Sequence, residues 1–182
     1  MMTPLETTLE ARINMAKLPL NARLNYKLDK TQNWLKDILL EMNENAKDRT
    51  PEEWLNETSI TLELELMKSF KGEIGEYLLV TGHLEATYAT ECVRTLKPMK
   101  ESITADFKSC FAPEALLSSE EYAESGEIWT DNHTWELYGY ERHQVELFEM
   151  VREQAYLNYN YYPRIDAEGP LDLDFSSDKS RQ

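Results

Sequence analysis

Cysteine, histidine and carboxylate side chains are where this 182-residue chain could do chemistry, and their spacing argues against most of it. Two cysteines, Cys92 and Cys110, are too few for a disulfide framework. In a reducing compartment both are expected as thiols. His83, His133 and His143 are widely spaced. No His-x-x-x-His and no paired Cys-x-x-Cys offers a preassembled metal site. Zinc would have to be gathered in three dimensions from Cys92, Cys110 and His83, and none is expected. Gly72-Glu73-Ile74-Gly75 lacks the Lys-Ser/Thr that completes a phosphate loop. There is no Gly-x-Ser-x-Gly nucleophile elbow. Carboxylates are abundant, but a catalytic pair needs two distinct environments at a defined separation. Spacing singles out no such pair, so no catalytic residue, cofactor or metal ligand is assigned.

Charge restricts the partners. Asp and Glu number 34 against 19 Lys and Arg, a net charge of -15. Affinity for nucleic acid and for anionic membranes comes from Lys and Arg, so both kinds of non-specific binding are disfavoured. The acidity suits a chain kept soluble by its own charge, or one that meets basic partners. The first residues, Met1-Met2-Thr3-Pro4-Leu5, show no basic region followed by an apolar core. No apolar run approaches the roughly 20 residues of a membrane helix. A cytoplasmic location is expected.

The elements that must position these residues are read from periodicity. Residues 1–12 carry no pattern and are expected to be a flexible N-terminus. Leu24, Tyr26 and Leu28 alternate with polar residues, the period of a half-buried strand. A helix is expected over about Lys30 to Asn45, capped by Asp29, with Trp34, Leu35, Ile38, Leu39 and Met42 on one face. Thr50-Pro51-Glu52-Glu53 has the composition of a helix start. Ile60 to Leu66 alternates as a strand. A turn at Lys71-Gly72 leads to a long extended run from Glu76 to Val93, in which Gly82 marks a bulge or a strand end. Leu96-Lys97-Pro98 turns the chain, and Ile103 to Ser109 returns as a further strand. Phe111 to Gly126 reads as an acidic loop. Short aromatic strands follow over Ile128 to Tyr140, then a second helix from Gln144 to about Tyr156. Residues 13–165 are expected to form one domain, and 166–182 a frayed acidic tail. The class is α+β, with a largely antiparallel sheet and two main helices.

One segment stands apart: Cys92-Val93-Arg94-Thr95-Leu96-Lys97-Pro98, after the strand that begins Val80-Thr81-Gly82-His83. It resembles the YceD family, whose members carry Cys-x-x-Cys-Leu-x-Pro after a Val-x-Gly strand. Ile103 to Phe111 is similar to the family's next strand. Arg152-Glu153-Gln154-Ala155-Tyr156-Leu157 is similar to the end of its helix. The family-motif positions in this chain are Cys92, Arg94, Leu96, Pro98 and Glu153. Thr95 stands where the motif has its second cysteine, which puts any metal or paired-thiol role in doubt here. The resemblance implies a role in accumulation of the large-subunit (23S) ribosomal RNA and in large-subunit assembly, with no assigned reaction.

Two functions from different classes are weighed. The first is a non-enzymatic assembly factor that binds a precursor of the large subunit or a basic ribosomal protein. Glu120, Glu121 and Glu124 are the candidate contacts for a basic protein. Arg94, Lys97 and Lys100, with Lys108, are the candidates for direct rRNA contact. Neither membrane nor DNA is an expected partner. The second is a small-molecule-binding or hydrolytic domain with a carboxylate-lined pocket, which ranks below because no nucleophile and base are paired. The tyrosine run Tyr156, Tyr159, Tyr161, Tyr162 reads as packing, since few cations are interleaved with it.

Overall fold

The computed structural model describes residues 4–165. In chain order its elements are β1 (Arg12–Asn14), β2 (Arg23–Asp29), α1 (Asn33–Met42), β3 (Ser59–Lys71), β4 (Gly75–Glu91), β5 (Pro98–Pro113), α2 (Glu114–Leu117), β6 (Glu127–Thr130), β7 (His133–Tyr140), β8 (Gln144–Glu146) and α3 (Leu147–Leu157). Six strands form one sheet in the order β2-β3-β4-β5-β7-β6, and β1 pairs with β8 as a separate ribbon. Every pairing is antiparallel except β5 with β7. The expected α+β class with a largely antiparallel sheet is the one found.

Alternation decides which face of the sheet is dry. On β4, Leu78, Val80, Leu84, Ala86 and Tyr88 are buried, while Thr81, His83, Glu85 and Thr87 point the other way. α1 covers the dry face with Trp34, Leu35, Ile38, Leu39 and Met42, and α3 covers it with Leu147, Met150, Val151 and Ala155. Each buried Leu, Ile, Val or Met among them contributes about 1.5–3 kcal/mol by leaving water.

β4 passes Gly82 with neither bulge nor break. Its pairing to β3 runs unbroken from Gly75 to Thr87, and its pairing to β5 from Leu78 to Glu91. Gly82 has another role. It lies between Leu64 and Phe107 on the dry face, and a Cβ there would fall inside the Phe107 ring. Glycine leaves the space that the aromatic ring fills.

Four element boundaries differ from expectation for local reasons. Asp29 does not cap α1; its carboxylate accepts from the Thr31 amide at 2.8 Å and the Thr31 hydroxyl at 2.6 Å. This local turn delays the helix to Asn33. Thr50 and Glu53 do make the reciprocal pair of a capping box, at 2.7 and 3.3 Å, but the chain continues as turns and no α-helix follows. The second helix begins at Leu147 because Gln144–Glu146 is held as a strand by β1, with Val145 opposite Ile13. The segment read as an acidic loop carries α2. Within the N-terminal stretch, Glu6 exchanges backbone hydrogen bonds with Asn25 and Lys27, and the Trp34 indole donates to Leu9 O at 2.8 Å. The expected tail, 166–182, lies outside the described residues.

Candidate functional site

The β4–β5 hairpin sets the long dimension of the site. At about 3.3 Å per residue, the 17 residues of β4 span about 50 Å. The two groups of candidate residues lie at its opposite ends.

The acidic group lies where β4 begins and β5 finishes. Glu114, Glu120, Glu121, Glu124 and Glu127 are all exposed there. Tyr122 anchors the segment. With Ile74, Leu116 and Leu117, it packs on a second apolar cluster containing Tyr77, Leu79, Cys110 and Trp135. Partial burial, then the charges of Glu121 and Glu73, push the Tyr122 hydroxyl above its ordinary pKa. Glu73, from the β3–β4 turn, is therefore part of the same negative field.

At the other end, Cys92 to Lys97 closes the hairpin. The Cys92 amide donates to Lys97 O and the Leu96 amide to Cys92 O, both at 2.9 Å. Leu96 adopts φ 59, a left-handed conformation uncommon for a leucine, and its side chain is 67% exposed. Arg94 and Lys97 are exposed in this turn, Pro98 opens β5 and Lys100 pairs with Ala89 beside it. Lys108 does not join them. Eight residues further along β5, it lies 5.8 Å over the Trp135 ring. Glu153 is on α3 and accepts from the Tyr138 hydroxyl at 2.8 Å.

Cys92 is enclosed, as a small buried hydrophobe would be, but its sulfur is not in an apolar setting. The Thr95 hydroxyl donates to it, followed by the Thr95, Ile165 and Arg94 amides, and the thiol is lowered to about 7. Ringed amide donors stabilise an anion. The residue in the place of the motif's second cysteine thus serves as a hydrogen-bond donor to the first. Cys110 is the opposite case: burial pushes its thiol up to about 12.

The three soft ligands weighed for zinc are spread along the hairpin. His83 is opposite Asp106, Cys110 is opposite Leu79, and Cys92 follows the end of β4. Nine residues of strand separate His83 from Cys92, about 30 Å, so they cannot share an ion. Among the described residues no group of three or more His, Cys, Asp or Glu could hold a metal ion. Both cysteines are free.

The wet face of the sheet holds an open depression of about 450 Å³ lined by Lys27, Glu63, Glu65, His83 and Asp106. Its carboxylates pair with cations across or along strands. Lys27 meets Glu63 at 3.3 Å, and His83 meets Asp106 at 2.6 Å and Glu85 at 3.0 Å. The hydrogen bonds from Asp106, then Glu85, raise the His83 pKa. These are pairs on a wet face, and they frame no enclosed space for a substrate.

Sequence reasoning missed what lies against the hairpin turn. The segment after α3 returns to it, with the Val93 amide donating to Pro163 O at 3.0 Å. Tyr159 stacks on Tyr88 with ring centroids 4.7 Å apart, and Tyr161 meets Tyr159 edge-on at 5.0 Å. Asn45 donates to the Tyr159 hydroxyl at 2.6 Å, and the Asn160 amide to the Tyr88 hydroxyl at 3.1 Å. Burial lifts the Tyr88 hydroxyl to about 12. The tyrosine run was visible in the sequence, but nothing local indicated that it docks 70 residues upstream.

A family model described as large ribosomal RNA subunit accumulation protein YceD matches residues 80–180, more than half of the chain. The match begins within β4, after its first five residues, and takes in the hairpin turn and the whole of β5. No curated protein and no solved structure matches the chain. Among the described residues no helix is long and apolar enough to cross a membrane.

Proposed function

The chain belongs to the YceD family, and from that premise we propose that it is a non-enzymatic cytoplasmic factor that docks on a precursor of the large ribosomal subunit through a basic ribosomal protein. Family membership carries a role in accumulation of large-subunit ribosomal RNA. The observation that carries the finer reading is the concentration of Glu73, Glu114, Glu120, Glu121, Glu124 and Glu127 at one end of the hairpin. Such a field speeds encounter with a basic partner and repels phosphate. Tyr122, half-buried in this patch, adds a rigid aromatic contact of the kind enriched at interfaces. Catalysis has less support, because Glu63 and Asp106 in the wet-face depression are already paired with Lys27 and His83.

The test is affinity purification of the tagged protein under mild salt, compared with a variant carrying Glu120→Gln, Glu121→Gln and Glu124→Gln. Basic ribosomal proteins are expected with the parent and are expected to fall away with the variant, most at low salt where screening is weakest. Full retention by the variant would place the contact elsewhere.

A further inference from the structure

We propose that the hairpin turn at Cys92–Lys97 and the tyrosine segment docked on it form a binding surface for single-stranded RNA, distinct from the acidic end. Three observations converge there. The first is aromatic: Tyr161 and Tyr162 are 60% and 76% exposed, while Tyr159 and Tyr88 hold the segment from beneath by stacking. Exposed rings on a fixed base are what unpaired nucleobases stack on. Duplex RNA keeps its bases paired and offers them no such face.

The second is charge. Residues 91–101 and 159–165 carry four cations, Arg94, Lys97, Lys100 and Arg164, against two acids, Glu91 and Glu101. These cations stand on the hairpin wall of the surface, while on the far side Tyr161 borders Glu149 and Glu153 beside Arg152. Distance protects it. The acidic group is about 50 Å away along β4, and charges are screened over about 8 Å at physiological ionic strength. The field of that acidic group therefore does not reach the hairpin turn.

The third is shape. An open groove of about 380 Å³ runs beside the turn, lined by Lys47, Cys92, Leu96, Tyr159, Tyr161 and Pro163. Lys47 and Glu91 stand in its lining with the rings of Tyr159 and Tyr161, and the exposed cations Lys97 and Lys100 lie on the adjoining hairpin. The Val93–Pro163 hydrogen bond fixes the two walls to each other, so the surface is preformed. The hairpin turn brings to this end of the molecule cations that the sequence around the tyrosines lacks, Lys97 and Lys100 among them.

The experiment is fluorescence anisotropy with a labelled single-stranded RNA oligonucleotide and the full chain, over a series of salt concentrations. Binding is expected that weakens as salt rises, with the same sequence as a duplex binding at least tenfold more weakly. The double variant Tyr161→Ala with Tyr162→Ala is expected to lose tenfold or more, and the double Tyr→Phe variant to keep parental affinity, since stacking needs the ring and not the hydroxyl. Both positions are exposed, so the melting temperature is expected to hold in each variant. Lys97→Gln with Lys100→Gln is expected to weaken binding and flatten the salt dependence. The Glu120, Glu121 and Glu124 substitutions are expected to leave it unchanged. The proposal is overturned if the parent does not bind the oligonucleotide at low salt. It is also overturned if the alanine variant binds like the parent, or if duplex binds as well as single strand. Loss of precursor association in the tyrosine variant without any RNA binding by the parent would assign this surface to a protein instead. No ribosomal component is present in this assay, so its outcome is independent of whether the acidic end meets a ribosomal protein.

Discussion

Adding one methyl group at Gly82 is expected to destabilise the protein. Two opposed effects must be compared. Gly82 is in extended backbone, where alanine is preferred by about 0.5–1 kcal/mol because the unfolded chain loses less freedom. Against this, the new Cβ would fall inside the Phe107 ring and overlap three of its carbons. Phe107 is buried within the main core, so its ring cannot swing into solvent without losing its packing. Overpacking of this kind costs about 1–3 kcal/mol, so the clash outweighs the backbone gain. Gly82→Ala is expected to lower stability by about 1–2 kcal/mol, and the melting temperature by about 2–4 °C per kcal/mol for a chain of this size. Phe107→Leu removes the ring and costs stability alone. In the double variant the clash is gone, so its loss should be smaller than the sum of the two single losses, with a coupling of about 1 kcal/mol or more. Urea unfolding of all four proteins measures the cycle. A Gly82→Ala protein as stable as the parent, or strictly additive losses, would refute the reasoning.

Lys68 is buried, with its ammonium donating to Met15 O at 2.9 Å and Leu18 O at 3.4 Å. Lys68→Met keeps the stem but removes both hydrogen bonds and the ion pair with Glu76 at 3.6 Å, leaving Met15 O with the Leu18 amide alone, and should cost about 1–2 kcal/mol in urea unfolding. Thr95→Val removes the leading donor to Cys92 and should move its pKa from about 7 toward 9. The readout is the pH midpoint of thiolate ultraviolet absorbance in the native protein, taken as the difference from a Cys92→Ser variant. Because the folded Cys92 pKa is below its unfolded value, its contribution to stability is present in full above about pH 9 and is lost as pH falls through about 7. His83 has the opposite sign: its raised folded pKa gives stability present below the unfolded value of 6.5 and lost as pH rises through the folded one. An NMR titration should find its midpoint above 6.5 in the parent and lower in Asp106→Asn. Metal analysis should find no zinc in the purified protein, and a chelator should leave its melting temperature unchanged.

Strands with one wet face were legible because their period is two and their burial is set by their own side chains. β2, β3 and β5 and the apolar face of α1 belong to this class. The boundaries that differed were decided by partners the local sequence does not contain. Asp29 has a good capping composition but spends its carboxylate on Thr31. Gln144–Glu146 continues the helical pattern of α3 yet pairs with β1, more than 100 residues away. Gly82 is a breaker by local rules, and its reason is Phe107 on the next strand. The candidate residues were visible as acids, cations and tyrosines. Their separation into two ends of one hairpin was not visible, because it depends on the register of β4 against β5 and on the Val93–Pro163 contact.

The central claim is a role in large-subunit rRNA accumulation. It is tested most directly by the ratio of large- to small-subunit rRNA in cells lacking this chain, in their parent, and in the deletion strain complemented with the intact gene. The account predicts that the ratio falls in the deletion strain and returns with complementation. Equal ratios in deletion strain and parent at several growth temperatures would contradict it.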